Sequence, residues 1–173
     1  MITGNSTLSE VWEHIRTHAD TGLDCPACGQ RIKVYWRSPN WEMAVVAIRL
    51  YRYHLEHPWE YSHVRDFTMS HPSAFKNYNW LGDYSKLRWW RLAEPAPPAE
   101  DGSVRSGLWR ITQSGIEWVT EQVKVPHYVR VFDANAIGEP DHFTQGGEWR
   151  PPVGIKDALD NKFDFGALMR GEA

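Results

Sequence analysis

The chain has 173 residues with a formal net charge of −3, 24% charged residues, 2 cysteines and 10 tryptophans. That length fits one compact domain or two small ones, and the charge excludes a protein coated in basic residues. No run of about 18 apolar residues occurs, nor a basic segment leading into an apolar one, so neither a membrane span nor a signal peptide is expected. Two cysteines at knuckle spacing fit a reducing cytoplasm.

In chain order, Leu8 to His18 reads as a helix that puts His14 and His18, four apart, on one face. Cys25-Pro26-Ala27-Cys28-Gly29 follows, a knuckle in which two thiolates can converge on one Zn²⁺. A tetrahedral site needs two more ligands, and no second CxxC exists. His14 and His18 are the nearer candidates, His54 and His57 a second pair, and two chains of a homodimer could each donate one knuckle. The alternatives are reduced thiols at a tight turn, or a redox CPxC, which requires a helix N-terminus within a βαβ unit. Arg31 to Arg37 instead alternates like a strand, an order that favours a zinc-ribbon-like turn.

Trp41 to His57 is the strongest helix, with Ala44, Ala47, Ile48, Tyr51 and Leu55 in one apolar stripe and Glu42, Arg49 and Arg52 elsewhere; Pro58 ends it. Ser62 to Trp80 holds Pro72 and many polar residues, with Ser73 to Lys76 able to form a short helix. Tyr84 to Leu92 follows as a helix with Tyr84, Leu87 and the Trp90/Arg91 level on one side, leaving Lys86, Arg88 and Trp89 outward. Outward basic residues on such a helix can meet phosphates or guanine edges in a major groove. The plain alternative is a small core around Trp89 and Trp90, with Lys86, Arg88 and Arg91 on a solvated face.

Three prolines within Ala93 to Ser103 make that segment a loop or wing tip. Val104 to Ile111 reads as a strand with Leu108 and Arg110 on one side and Trp109 and Ile111 on the other. Thr112 caps a helix whose buried stripe is Ile116, Val119 and Val123. Helix, short helix, basic helix, strand pair and closing helix make up a winged-helix order. Beyond it, Val125 to Phe132 reads as a strand, Asp133 to Gly147 as loop, Ile155, Leu159 and Phe163 as a short helix, and Phe165 to Met169 as a last apolar turn. This tail packs on the preceding domain or pairs two chains.

The ten tryptophans are expected mainly to fill a core, with some left for a binding face. Charge is divided along the chain. Arg31, Lys33, Arg37, Arg49 and Arg52 against Glu42 give Gly29 to Arg52 a balance of +4, whereas Met1 to Asp24 balances at −3 and Asp133 to Ala173 at −4. No GxSxG, P-loop, HExxH, kinase or dinucleotide fingerprint is present, the HxE half of a zinc deaminase site is missing, and His63, His71, His127 and His142 lie scattered in loops. A non-enzymatic protein is expected.

Residues Trp41 to Val123 resemble a winged helix-turn-helix domain, and YSKLRWWRL with GLWRITQSGIEWV resembles the recognition helix and wing of bacterial regulators. Arg91 stands where such motifs often have Gly. More broadly, the chain resembles a family of small uncharacterised bacteriophage proteins in which a CPxCG knuckle precedes such a domain, with a tail like VPHYVRVFDANAIG and IKDALDNKFDFGALM. The resemblance implies an α+β fold: an N-terminal helix and knuckle over 1–40, a winged-helix core over 41–124, and a strand-helix appendage over 125–173. The expected partner is double-stranded DNA in the host cytoplasm, met by Lys86, Arg88 and Arg91, with Arg105 and Arg110 of the wing on the backbone and Arg31, Lys33 and Arg37 adding nonspecific contacts. The alternative is a protein-interaction module, a host-factor inhibitor or phage assembly component, using exposed tryptophans and the acidic tail.

Overall fold

A computed structural model describes residues 6–25, 28–69, 78–103, 105 and 107–172, without the side chains of 67–69 and 78–82. Helix α1, Leu8–His18, starts in a reciprocal cap: the Thr7 hydroxyl accepts from the Glu10 amide at 3.3 Å, and the Glu10 carboxylate accepts from the Thr7 amide at 2.7 Å. Strands β1, Leu23–Asp24, and β2, Arg31–Ile32, pair antiparallel across the cysteine knuckle. Arg31 to Arg37 is therefore not one strand. It breaks at Val34, which is buried and donates its amide to Ala19 at 2.9 Å, and β3, Tyr35–Arg37, continues into a different sheet.

Helix α2, Trp41–Glu56, is capped by Asn40, whose Oδ1 accepts from the Met43 amide at 3.1 Å. It is not the one-striped surface helix its periodicity predicts. Every residue from Met43 to Leu50, Arg49 included, is buried, while Leu55 of the expected stripe is exposed. Strand β4, Ser62–His63, leads into α3, Val64–Met69, which the sequence reading did not anticipate; the expected helix Ser73 to Lys76 lies outside the described residues.

Tyr78–Trp90 is a 3₁₀ helix, with three residues per turn, so Tyr84, Leu87 and Trp90 fall on one ridge. Leu87 and Trp90 are buried, and Tyr84 meets Trp109 edge to face at 5.4 Å. The end of this helix has its own geometry. The Leu92 amide reaches back to the Leu87 carbonyl at 3.1 Å and the Arg91 amide to the Arg88 carbonyl at 3.0 Å, with Arg91 left-handed at φ 58°. This is a Schellman close, and Arg91 occupies the left-handed position that glycine prefers.

Strands β5, Ala93–Pro95, and β6, Leu108–Ile111, form a hairpin, and β6 also pairs with β4, giving the antiparallel order β4-β6-β5. Pro95 is tolerated because β5 is an edge. Trp109 and Ile111 are buried and Leu108 and Arg110 half-buried, the alternation the sequence predicts. Thr112 caps α4, Gln113–Val119, accepting from the Gly115 amide at 3.1 Å. The buried face of α4 carries Trp118 and Val119, whereas Val123 lies beyond its end and is exposed.

Strands β7, Tyr128–Phe132, and β8, Asn135–Asp141, form a second hairpin, and β3 flanks β7 in the order β3-β7-β8. The expected loop from Asp133 to Gly147 thus contains a strand. Its turn, Asp133-Ala134, has φ of 48° and 58°, the two positive values a type I′ turn needs, without the usual glycine. Val125 sits outside β7 and bridges Val153 instead.

Helices α5, Ile155–Leu159, and α6, Phe165–Arg170, pack with α4, β6 and the 3₁₀ helix around α2, so one hydrophobic cluster runs from Met43 to Leu168 in an α+β fold. Trp90, Trp109 and Trp118 are buried in it, and the indoles of Trp90 and Trp118 donate to the Pro126 and Val153 carbonyls at 2.9 and 3.0 Å. Trp12, Trp59 and Trp149 are exposed. Among the described residues no helix is long and apolar enough to cross a membrane.

Candidate nucleic-acid interface

The basic residues singled out from the sequence divide by what they touch. Lys86 does not point outward: it is half-buried and ion-paired to Asp83, whose second oxygen accepts from the Asn40 side-chain amide at 2.8 Å. Burial pushes the Asp83 carboxyl up, but hydrogen bonds from Lys86 and Asn40, with the charges of Lys86 and Arg37, outweigh it and hold the carboxyl below its ordinary value. Lys86 therefore ties the 3₁₀ helix to the cap of α2. Trp89 is likewise not outward; it packs against the core.

Arg110 is also turned to structure. Its guanidinium meets Glu94, its cross-strand neighbour, at 2.6 Å, donates to the Trp59 carbonyl at 3.2 Å and lies 4.6 Å over the Tyr61 ring. Arg31 faces Asp24 across β1 and β2 at 3.3 Å. Lys33 and Arg37 both lie over the Tyr35 ring, at 5.0 and 5.7 Å. Arg49 leaves the basic surface altogether: burial and neighbouring Arg52 lower its guanidinium to about 10.

Arg88 and Arg91 remain exposed at the end of the 3₁₀ helix, and Arg105 is exposed in the connection between β5 and β6. Among the described residues Arg88 and Arg105 have no carboxylate partner. Arg91 has one, Glu139 of β8. Of the acids that neutralise these cations, Asp83 was legible as the i−3 neighbour of Lys86, but Glu139 carries no local signal at all.

At the knuckle, the Cys25 amide donates to the Gln30 carbonyl at 2.7 Å and the Gly29 amide to the Cys25 carbonyl at 2.8 Å, and neither cysteine is in a disulfide. His14 and His18 sit 4.2 Å apart, with His18 Nδ1 2.8 Å from the His14 carbonyl oxygen. His57 stacks on Tyr53 at 4.4 Å, and His54 Nδ1 accepts from the Trp59 amide at 3.1 Å. Among the described residues no three of His, Cys, Asp or Glu are gathered as a metal-holding set, so neither histidine pair joins both cysteines. Within one chain the two thiols supply half of a tetrahedral donor set. No protein-family model, curated protein or solved structure matches this chain.

Proposed function

We propose that this chain is a non-enzymatic binding protein of winged-helix type, a regulator that acts on double-stranded DNA. Arg88 and Arg91 meet the phosphates at the edge of the groove and Arg105 those beside the wing, while Lys86 and Arg110 hold the elements that present them. The carrying observation is the order α2, β4, α3, 3₁₀ helix, β5, β6 with β6 between β4 and β5. It puts an exposed basic helix end directly before a hairpin, the arrangement a winged helix uses for recognition helix and wing. Lys33 and Arg37 add nonspecific phosphate contacts.

An anisotropy titration with random-sequence duplex across a salt series tests this reading. Affinity should fall steeply with salt, and the double variant Arg88→Gln/Arg91→Gln should flatten the slope by about two, one per lost phosphate contact. Absence of binding at low salt overturns it.

A protein-interaction role is the second reading. It is favoured by the carboxylates already set against Arg31, Lys86, Arg91 and Arg110, which lower the field a nucleic acid would meet. Zinc enters either reading at Cys25 and Cys28, with the missing donors coming from the same pair in a second copy.

A further inference from the structure

The turn that follows α2 puts a tryptophan where a glycine is expected. The Glu60 amide donates to the His57 carbonyl at 3.2 Å, so His57-Pro58-Trp59-Glu60 is a hydrogen-bonded β-turn. Proline fixes a negative φ at the second residue of the turn, and Trp59, the third, has φ 63°. A negative and then a positive φ define a type II turn, whose third residue is ordinarily glycine because a Cβ is crowded there. Flipping the Pro58–Trp59 peptide plane gives a type I turn instead, with the same closing bond and a negative φ that a bulky residue adopts without strain. Pro58-Trp59 by itself therefore favours type I, and a group outside the turn holds the other form.

That group is His54, in the last turn of α2. The Trp59 amide takes no part in the closing bond and donates instead to His54 Nδ1 at 3.1 Å. A backbone amide only donates, so Nδ1 carries no proton and the ring is the neutral Nε2–H tautomer. His54 is half-buried, within reach of water, and its ring meets the Trp59 indole edge to face at 4.6 Å. Trp59 is exposed, at 47%. Its carbonyl is held from the other side by Arg110 Nη1 at 3.2 Å, and Arg110 is paired with Glu94 and lies over Tyr61. Arg110, Glu94 and Tyr61 are thus the charged and titratable groups facing the turn from outside α2, while Glu56, His57 and Glu60 flank it in the chain. His57 Nδ1 has no partner among the described residues, so of the two histidines only His54 couples a proton to the backbone of the turn.

We propose that His54 and Trp59 form a pH-sensitive switch. A proton taken from solvent at His54 Nδ1 replaces the acceptor with a donor, the Pro58–Trp59 peptide flips from type II to type I, and the exposed indole is presented in a new direction. The sign follows from the tautomer: the bonded ring is the neutral one, so the type II form holds at high pH and is lost as the ring takes up its proton, in the range where imidazoles titrate. The switch does not depend on what the protein binds.

The test is an NMR titration of the full chain from pH 8 to pH 5. In a type II turn the Hα of the second residue lies close to the amide proton of the third, and in type I the two move apart, so the Pro58 Hα–Trp59 amide cross-peak reports the flip. It should be strong at pH 8 and lost at pH 5, in step with the ring protons of His54. His54→Phe, which keeps a ring and removes the acceptor, should lack the strong cross-peak at both pH values. Trp59→Gly, at ease with positive φ, should keep it at both. A strong cross-peak in the natural sequence after His54 is protonated, a loss that follows the ring protons of His57 instead, a strong cross-peak at pH 8 in His54→Phe, or its loss at pH 5 in Trp59→Gly would each overturn the proposal.

Discussion

Arg91 and Glu139, 48 residues apart in the chain, meet through Arg91 Nη2, which lies 2.9 and 3.0 Å from the two carboxylate oxygens. Both side chains are about three-quarters exposed, at 75% and 77%, so the pair adds little stability and a phosphate can displace the carboxylate. The β7–β8 hairpin thus sets a negative charge beside the proposed groove contact. Glu139→Gln is expected to raise affinity for duplex DNA about two- to five-fold at low salt, with the gain shrinking as salt rises. Unchanged affinity in the anisotropy titration would mean that Arg91 does not face the nucleic acid.

Arg91 also separates stability from binding. Its left-handed backbone at φ 58° costs a side-chain-bearing residue about 1 kcal/mol that glycine avoids. Arg91→Gly should therefore raise the urea midpoint while lowering DNA affinity. A drop in both would indicate that the ion pair, not the backbone, dominates at this position.

Gly115 lies against the backbone of the preceding segment. A Cβ there would fall 2.0 Å from the Leu92 carbonyl oxygen and 2.7 Å from Ile111 Cγ1, and the carbonyl cannot yield, because Leu92 is fixed by the helix close and accepts from Thr112. Gly115→Ala should cost about 2 kcal/mol or more, as overpacking against backbone does, whereas Ser114→Ala on the exposed side of α4 should be near neutral. Urea melts with unchanged slope and a lowered midpoint for Gly115→Ala alone would establish this.

The Asp83 carboxyl is held below its ordinary 3.8, with burial raising it and the Lys86 and Asn40 hydrogen bonds prevailing. A carboxyl depressed in the folded state gives stability that is fully present above its unfolded value and is lost as pH falls through the folded one. Nearby Glu42 is shifted the other way, raised by burial and by Asp83, so it opposes the trend. The expected result is a loss of stability below about pH 4 that is smaller in Asp83→Asn. Equal acid sensitivity of the two proteins in melts from pH 7 to pH 2 would refute the assignment.

If two knuckles share one ion, purified protein should contain about one zinc per two chains and run as a dimer. A chelator should return it to monomer, and Cys28→Ser should lose both metal and dimer. One zinc in each monomer would instead require donors from the same chain.

Local order determines much of what the sequence alone conveys. The caps at Thr7, Asn40 and Thr112 are short-range hydrogen bonds, the alternation of Leu108 to Ile111 is a backbone property, and Pro58 stops α2 by geometry, so the bounds of α1, α2 and the start of α4 follow from neighbouring residues. The side carrying Tyr84 and Leu87 was legible for the same reason, but the Trp90/Arg91 level was not: Trp90 lies on the buried ridge of the 3₁₀ helix, whereas Arg91, just past its end, is exposed. The β7–β8 hairpin was not, since Asp133-Ala134 lacks the glycine that announces such a turn.

Only the tertiary structure decided which cations remain exposed. Lys86, Arg91 and Arg110 look alike in sequence, yet Asp83 with Asn40, Glu139 and Glu94 with Tyr61 give them different surroundings. The burial of Met43 to Leu50 all round α2 likewise comes in part from α5 and α6, and Phe163 between them, more than a hundred residues downstream, stacks on Trp41 at 5.5 Å. The ion pair between Arg130 and Asp20 has the same origin, for the two are 110 residues apart. Periodicity and capping act over a few residues, whereas burial, ion pairing and grooves depend on which distant surfaces the chain brings together to exclude water.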